Sequence, residues 1–152
     1  MKKAFTIIEL MIVMAVMAIL VGMALPRFKG MQQEGNIAKA NGELRTLQTA
    51  MESYTMHNGN VYPAGSTTPF TAYLDADSVG TGPQLINSAM MDPFSPTNEY
   101  YYRIGNGAGT GYYVFGSRGP DGAIDVTRGE IADGEITAAE MDDDIIISNG
   151  TY

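Results

Sequence analysis

The sequence contains no cysteine, which excludes disulfide bridges, thiolate metal sites and cysteine nucleophiles. It has a single histidine, His57, and neither a Ser-His-Asp pattern nor a paired-carboxylate spacing accompanies it. Basic residues are also scarce, because 9 Lys and Arg stand against 17 Asp and Glu, for a net charge of -8. So acidic a surface repels phosphate groups, and no intrinsic nucleic-acid binding is expected. The sequence therefore predicts a protein that is not an enzyme.

Apolar residues are concentrated near the N-terminus, in the stretch "FTIIELMIVMAVMAILVGMALP". Phe5–Leu25 is long enough to cross a membrane as a helix, which needs about 20 apolar residues. A secretory signal peptide has a shorter apolar stretch and an Ala-x-Ala-like cleavage site. An ordinary anchor fits the length, with Lys2 and Lys3 on the cytoplasmic side. Neither explains Glu9, because a carboxylate in hydrocarbon costs about 3 kcal/mol or more.

The run "KKAFTIIELMIVMAVMAIL" resembles the class III leader and N-terminal helix of type IV pilins and type II secretion pseudopilins. The resemblance implies that prepilin peptidase cuts between Ala4 and Phe5, removing residues 1–4, and that the new amine of Phe5 is N-methylated. The family usually has Gly before the cut, where this chain has Ala4. The cut would place Glu9 fifth in the mature chain, where the family carries its glutamate.

The family resemblance gives Glu9 a partner in assembly. The amine of Phe5 would be neutralised by Glu9 of a neighbouring subunit inside an apolar bundle. Opposite charges attract strongly in a low dielectric, and removing one strands the other, so this pair would set the register of an incoming subunit. In the alternative interpretation, Glu9 simply lies at the membrane interface.

A long helix is expected, with residues 5–26 in the membrane or filament core and 27–57 amphipathic. Gly22 and Pro26 predict a kink or local unwinding that extends on assembly, since proline cannot donate the helical hydrogen bond. "MHNGNVYP" ends the helix, with Asn58-Gly59 suited to a left-handed cap. An apolar stripe at 3-4-3-4-3 spacing predicts packing against the protein's own sheet. The stripe comprises Ile37, Ala40, Leu44, Leu47, Met51 and Tyr54.

The fold class predicted is α+β, with this helix packed on a small antiparallel sheet. Residues 58–98 are a connecting region with a short helix at Phe70–Leu74. Residues 99–152 hold the sheet and the acidic C-terminal loops. "EYYYRI" (Glu99–Ile104) and "GYYVFGS" (Gly111–Ser117) are typical of a β-hairpin. Side chains alternate along a strand, so some of the three consecutive tyrosines in the first strand should face the helix and some should face outward.

Two acidic stretches carry the candidate metal ligands. "GSRGPDGAID" contributes Asp121 and Asp125, and "EMDDDIIISNG" contributes Asp142, Asp143 and Asp144. Ca²⁺ prefers six to eight oxygen ligands from carboxylates and loop carbonyls, so these loops form either a calcium site or a solvated acidic surface. "NGNVYP", "DPF" and "GPDG" resemble type II secretion major pseudopilins, which bind calcium through such loops. The intervening segment, residues 126–139, is longer here than that family usually shows.

The resemblance implies a structural subunit that polymerises into a type IV pilus-type filament. The alternative is the major pseudopilin of a type II secretion pseudopilus, and a third interpretation is a membrane-tethered calcium-binding module that does not polymerise. The expected partners are the chain itself, prepilin peptidase, an assembly ATPase, a platform protein and minor pilins. The protein would lie in the bacterial inner membrane before assembly, and then in an extracellular pilus or a periplasm-spanning pseudopilus.

Overall fold

The computed structural model describes residues 5–63, 85–86, 88–105, 111–126, 136 and 141–150. The helix predicted at Phe70–Leu74 lies outside these residues. The chain divides into two compact units, Met1–Gly35 and Asn36–Tyr152. The described elements are α1 (Ile7–His57), β1 (Tyr101–Ile104), β2 (Tyr113–Ser117) and β3 (Ile145–Ser148).

The first part of α1 carries its apolar side chains on all sides. From Phe5 to Leu25 every side chain is exposed except that of Ala24, which is half-buried. The helix is long and apolar enough to cross a membrane. An apolar surface of this extent is unfavourable in water, so it requires a lipid environment or contact with other apolar surfaces.

Pro26 lies inside α1, and the helix continues through it without interruption. The helix is therefore not unwound between Gly22 and Pro26, and the kink that was the other form of this prediction stays a prediction. Proline removes one backbone hydrogen bond, and the bonds of the flanking turns maintain the helix. The extension on assembly stays a prediction.

The second part of α1 packs on the sheet through the predicted stripe. Ala40, Leu44, Leu47 and Met51 are buried. Ile37 and Tyr54 lie at its edges and are half-buried. Ala50 and the stripe residues from Ala40 to Tyr54 form one core cluster with Tyr100 and the sheet residues Tyr102, Ile104, Tyr113 and Phe115. The predicted α+β fold is confirmed.

The end of α1 has the predicted left-handed cap. Gly59 and Asn60 have φ values of 67° and 62°. The Asn60 N–H donates to the carbonyl of Thr55 at 2.8 Å, and the Asn58 N–H donates to that of Tyr54 at 3.0 Å. These bonds satisfy carbonyls that the last helical turn would otherwise leave without partners.

The described sheet is antiparallel with the order β1-β2-β3. Phe115 in β2 lies opposite Tyr102 on one side and Ile147 on the other. The β1-β2 hairpin was predicted, whereas β3 was expected to be part of an acidic loop. Its three isoleucines favour a strand, but the run is only four residues long and has no apolar–polar alternation.

The prediction that some of the three consecutive tyrosines face outward is wrong. Tyr100 and Tyr102 pack on the helix side. Tyr101 lies in a second cluster with Val114, Val126 and Ile136. All three are buried, Tyr100 and Tyr102 in the core cluster with α1, and Tyr101 because C-terminal residues cover the sheet face opposite the helix.

Candidate functional site

The N-terminus of α1 is closed by a reciprocal hydrogen-bond pattern between Thr6 and Glu9. The backbone N–H and the hydroxyl of Thr6 each donate to Glu9 Oε2 at 2.9 Å. The Glu9 N–H donates in turn to Thr6 Oγ1 at 3.3 Å. This is a capping box, in which a residue before the helix and an acid three positions later satisfy each other's backbone donors. The spacing T-x-x-E of this pattern is visible in the sequence.

The capping box gives Glu9 polar partners within its own chain, and its pairing with a neighbouring copy stays a prediction. Within one chain, the carboxylate has polar donors of its own, and they offset part of the cost of placing it in an apolar environment. Phe5 directly precedes this pattern and is exposed. The predicted contact between the Phe5 amine and Glu9 of a neighbour would require a second copy. Ala4, on the other side of the predicted cut, lies outside the described residues.

The acidic loops bring together three of the five predicted metal ligands. One carboxylate oxygen from each of Asp121, Asp125 and Asp143 lies within 4.8 Å of the others. We call these three residues the acidic site. Asp142 and Asp144 are not among these three residues, and Asp144 is buried with hydrogen-bond partners of its own.

Backbone contacts hold the two acidic loops against each other. The Asp121 N–H donates to Asp143 Oδ2 at 2.9 Å. The Ala123 N–H donates to Asp121 Oδ1 at 2.7 Å. Gly119 has a φ of 62°, and a Cβ there would collide with the carbonyl oxygen of Asp143. A glycine is therefore required where the loops meet.

Asp144 connects the acidic site to the buried face of the sheet. Its Oδ2 accepts hydrogen bonds from the Tyr101 hydroxyl at 2.7 Å and from the Asp125 N–H at 2.9 Å. The Val126 N–H approaches the same oxygen at 3.4 Å. Asp144 is thus an acceptor that orders the loop carrying Asp125, a role that its sequence context did not reveal.

The electrostatics of the site favour an added cation. Burial raises the pKa of the Asp125 carboxyl, and the neighbouring charges, first among them Asp144 and Asp121, raise it further. Burial also raises the pKa of the Asp144 carboxyl. Among the residues that the structure describes, three buried carboxylate oxygens have no hydrogen-bond partner: Asp125 Oδ2, Asp143 Oδ1 and Asp144 Oδ1. A hard divalent cation takes ligands of this kind, so the donor set fits Ca²⁺.

A second buried carboxylate, Asp92, fixes the start of the loop that follows β2. Asp92 is fully buried. It accepts hydrogen bonds from Ser117 Oγ at 2.7 Å, the Arg118 N–H at 2.8 Å and the Phe94 N–H at 3.0 Å. Arg118 Nη1 lies 3.8 Å from Asp92 Oδ2 and donates to the carbonyl of Glu99 at 3.0 Å. This network joins the "DPF" turn to the segment that leads into the acidic site.

Comparison with known proteins identifies the N-terminal segment first. Residues 1–25 match the family model of the prokaryotic N-terminal methylation motif. Fimbrial protein EcpB of Eikenella corrodens is 41% identical over 58 residues, which cover 38% of this chain and 36% of the relative. A fimbrial protein of Pseudomonas aeruginosa is 35% identical over 68 residues, or 45% of this chain and 43% of the relative. The chain thus matches less than half the length of these fimbrial relatives.

A longer match is to a secretion protein. Type II secretion system core protein G of Klebsiella michiganensis is 25% identical over 144 residues, covering 95% of this chain and 91% of the relative. No solved structure matches the chain. These relatives are named as fimbrial and secretion-system proteins rather than as enzymes. The methylation motif, these relatives and the long helix packed on a small antiparallel sheet together support assignment of the chain to the type IV pilin and type II secretion pseudopilin superfamily.

Proposed function

We propose that this protein is a structural subunit that polymerises into a helical filament after cleavage between Ala4 and Phe5 and N-methylation of Phe5. The observation that carries the proposal is the apolar surface of α1, exposed on all sides from Phe5 to Leu25 except at Ala24. Before assembly this segment lies in the inner membrane, and in the filament it lies against the same segment of other copies. Head-to-tail contacts between copies produce an open filament when the rotation from one subunit to the next does not close into a ring.

Glu9 gains a second partner on assembly in this scheme. In the membrane its carboxylate accepts both Thr6 donors of its own chain, as in the capping box. In the filament it also neutralises the positive amine of Phe5 from a neighbouring copy. Because an unpaired charge in an apolar core costs several kcal/mol, only one axial register of the incoming subunit satisfies both groups.

The filament proposal is tested by replacing Glu9 and a matched acid on the same helix. Glu9→Ala should lower the amount of sheared filament by about tenfold or more, since a 1.4 kcal/mol loss at each subunit contact is already tenfold in an equilibrium constant. Glu34→Ala, at an exposed position farther along α1, should leave filament yield unchanged. Mass spectrometry should find both variants cleaved before Phe5. Normal filaments from Glu9→Ala, or a wild-type chain that keeps residues 1–4, would contradict the proposal.

A second candidate within this function is the pseudopilus of a type II secretion system. It is favoured by the match to core protein G, which extends along 91% of that relative, whereas the fimbrial matches cover less than half. Either filament would need prepilin peptidase, an assembly ATPase, a platform protein and minor pilins. Electron microscopy of sheared surface material separates the two, because a pilus gives long surface fibres. A pseudopilus subunit gives none at native expression, and its deletion blocks protein export.

We also propose that the acidic site binds Ca²⁺ through Asp121, Asp125 and Asp143. The support is the convergence of their oxygens within 4.8 Å, together with buried carboxylate oxygens that have no hydrogen-bond partner. The bound ion would supply positive charge that offsets the mutual repulsion of these carboxylates. The loop amides and Gly119 hold the carboxylates in position, so the C-terminal loops become a stable layer over the sheet.

Chelation tests the calcium site in the full chain in detergent micelles. A ligand that binds only the folded state stabilises it by about 2.7 kcal/mol at 100 times its Kd, so EDTA should lower the melting temperature by about 5 °C or more. Asp125→Asn should abolish this difference between calcium and EDTA. Glu52→Gln, at an exposed position on α1, should retain it. An unchanged melting temperature of the wild-type chain in EDTA would show that the calcium site is wrong.

The same experiments address the third interpretation, a membrane-tethered calcium-binding module. Such a module would show the EDTA effect, form no filaments in the presence of the assembly machinery, and tolerate Glu9→Ala. A subunit of the proposed kind shows the EDTA effect together with filaments that depend on Glu9.

A further inference from the structure

The hydroxyls of three consecutive tyrosines donate hydrogen bonds to three different parts of the chain. Tyr100 donates to Glu43 Oε2 at 2.7 Å, and Tyr102 donates to the Pro63 carbonyl at 3.1 Å. Tyr101 donates to Asp144 Oδ2 at 2.7 Å. All three tyrosines are buried, but Tyr101 is the one that contacts an acidic loop.

The sheet is built to let the Tyr101 ring reach Asp144. Gly116 lies opposite Tyr101 in the β1-β2 register. A Cβ at position 116 would overlap the end of the Tyr101 ring and its hydroxyl. The missing side chain therefore provides the space in which the ring crosses β2. This is a specific arrangement of two residues, and general packing of an aromatic strand does not account for it.

Asp144 links Tyr101 to the acidic site through hydrogen bonds to one carboxylate oxygen. Its Oδ2 also accepts the N–H of Asp125, whose carboxylate belongs to the site. Asp143, another member of the site, directly precedes Asp144 in the chain. A single buried carboxylate thus fixes the backbone at Asp125 and belongs to the residue next to Asp143, while the mutual repulsion of the site's carboxylates tends to separate them.

We propose that Tyr101 is a positioning residue for the cation site, an inference that rests on the proposed binding of Ca²⁺. Its hydroxyl holds Asp144, and Asp144 holds Asp125 and Asp143 close together before the ion arrives. Preorganisation of this kind increases affinity because the ion does not have to bring the loops together. Without the hydroxyl, Asp144 loses a donor, the carboxylates of the acidic site move apart, and Ca²⁺ binds more weakly.

Calorimetric titration of Ca²⁺ into the full chain in detergent micelles tests the proposal with two matched controls. Tyr101→Phe should weaken Ca²⁺ binding about tenfold, which corresponds to 1.4 kcal/mol. Tyr100→Phe and Tyr102→Phe each remove one buried tyrosine hydroxyl from the helix side of the same sequence triplet. They should lower the melting temperature but leave calcium affinity unchanged.

A spectroscopic measurement separates positioning from general loss of stability. The chain has no tryptophan, so its near-ultraviolet absorption comes mainly from tyrosine. Adding Ca²⁺ should perturb the tyrosine difference spectrum of the wild-type chain and of Tyr100→Phe and Tyr102→Phe. The perturbation should be much reduced in Tyr101→Phe. If Tyr101→Phe does not fold, Gly116→Ala provides a second variant, because its Cβ displaces the same ring and should also weaken Ca²⁺ binding.

The outcomes distinguish this proposal from the one on which it depends. Absence of Ca²⁺ binding to the wild-type chain would overturn both the calcium site and the role of Tyr101. Wild-type calcium affinity in Tyr101→Phe would overturn the role of Tyr101 alone. Equal weakening in all three tyrosine variants would also overturn it, because the effect would then come from overall destabilisation.

Discussion

Two buried aspartates show how the surroundings of a carboxylate determine what it requires. Asp92 accepts hydrogen bonds from three donors and lies 3.8 Å from the guanidinium of Arg118, so its own chain supplies a positive charge. Asp144 accepts from a tyrosine hydroxyl and backbone amides, all of them neutral, and interacts electrostatically with Asp125 and Asp143. Burial raises the pKa of the Asp144 carboxyl, which indicates a charge that is incompletely balanced. The arrangement around Asp92 stabilises the fold without an added ion. The arrangement around Asp144 is suited to an added cation.

Replacing Asp92 by Ala should lower the free energy of unfolding by about 3 kcal/mol or more, because the change leaves Arg118 and three hydrogen-bond donors without their acceptor. Denaturant titration of the full chain in micelles measures this loss. Glu34→Ala, which removes an exposed carboxylate, should change the value by no more than about 0.5 kcal/mol. Similar losses in the two variants would show that the Asp92 network does not stabilise the fold.

The acidic residues proposed for the metal site follow from loop composition, whereas the burial of other carboxylates has no local signal in the sequence. Asp121, Asp125 and Asp143 were selected from loop composition, and the structure brings them together. The burial of Asp92 and Asp144 was not predicted, because their partners Ser117 and Tyr101 are 25 and 43 positions away and no local pattern connects them. The capping box, by contrast, depends on a separation of three residues and was open to prediction.

At the scale of elements, α1 combines two sequence patterns in one continuous helix. The stripe beginning at Ile37 has the 3.6-residue period of a helix with one buried face, and this periodicity made its packing predictable. The earlier part is apolar all round, so its sequence predicts burial but does not identify what covers it. The sequence of β3 has no periodic pattern that predicts a strand. It forms a strand because it pairs with β2.

Pro26→Ala should strengthen α1 locally. Alanine restores the backbone donor that proline lacks and removes the crowding of the preceding turn, a change of about 3 kcal/mol in a helix interior. Amide hydrogen exchange in micelles should therefore slow around residues 22–26. If α1 must extend at this point during assembly, the same variant should also yield fewer filaments than the wild type.

Gly30→Ala is the matched control for this prediction. Gly30 also lies in α1, and a Cβ there meets nothing within 4 Å. The change gains about 1 kcal/mol of helix propensity without restoring a hydrogen bond. It should have a small effect on exchange and none on filament yield. Equal filament losses in both variants would show that general stiffening, rather than the proline, affects assembly.

At the scale of the whole molecule, tyrosines connect the three layers of the unit Asn36–Tyr152. The sheet lies between α1 on one face and the C-terminal residues on the other, and every residue of β2 is buried. Tyr100 joins the sheet to α1, and Tyr101 joins it to the acidic loops. Tyr113 lies between Tyr62 and Phe115, with ring centroids 4.9 and 5.4 Å away. Ionising these hydroxyls would place charge inside the packed layers.

The stability of the molecule should consequently fall at alkaline pH. Burial raises the pKa values of Tyr100, Tyr101 and Tyr113 well above the ordinary value of 10.0. Above about pH 10 the unfolded chain loses these protons while the folded chain retains them, so the free energy of unfolding declines. Their contribution is complete below that pH, and each such tyrosine should cost about 1.4 kcal/mol per further pH unit. Denaturant titrations at a series of alkaline pH values, at constant calcium, measure the slope. Tyr113→Phe should make it shallower than Tyr112→Phe does, because Tyr112 is exposed and Tyr113 is buried; equal slopes in the two variants would contradict this assignment.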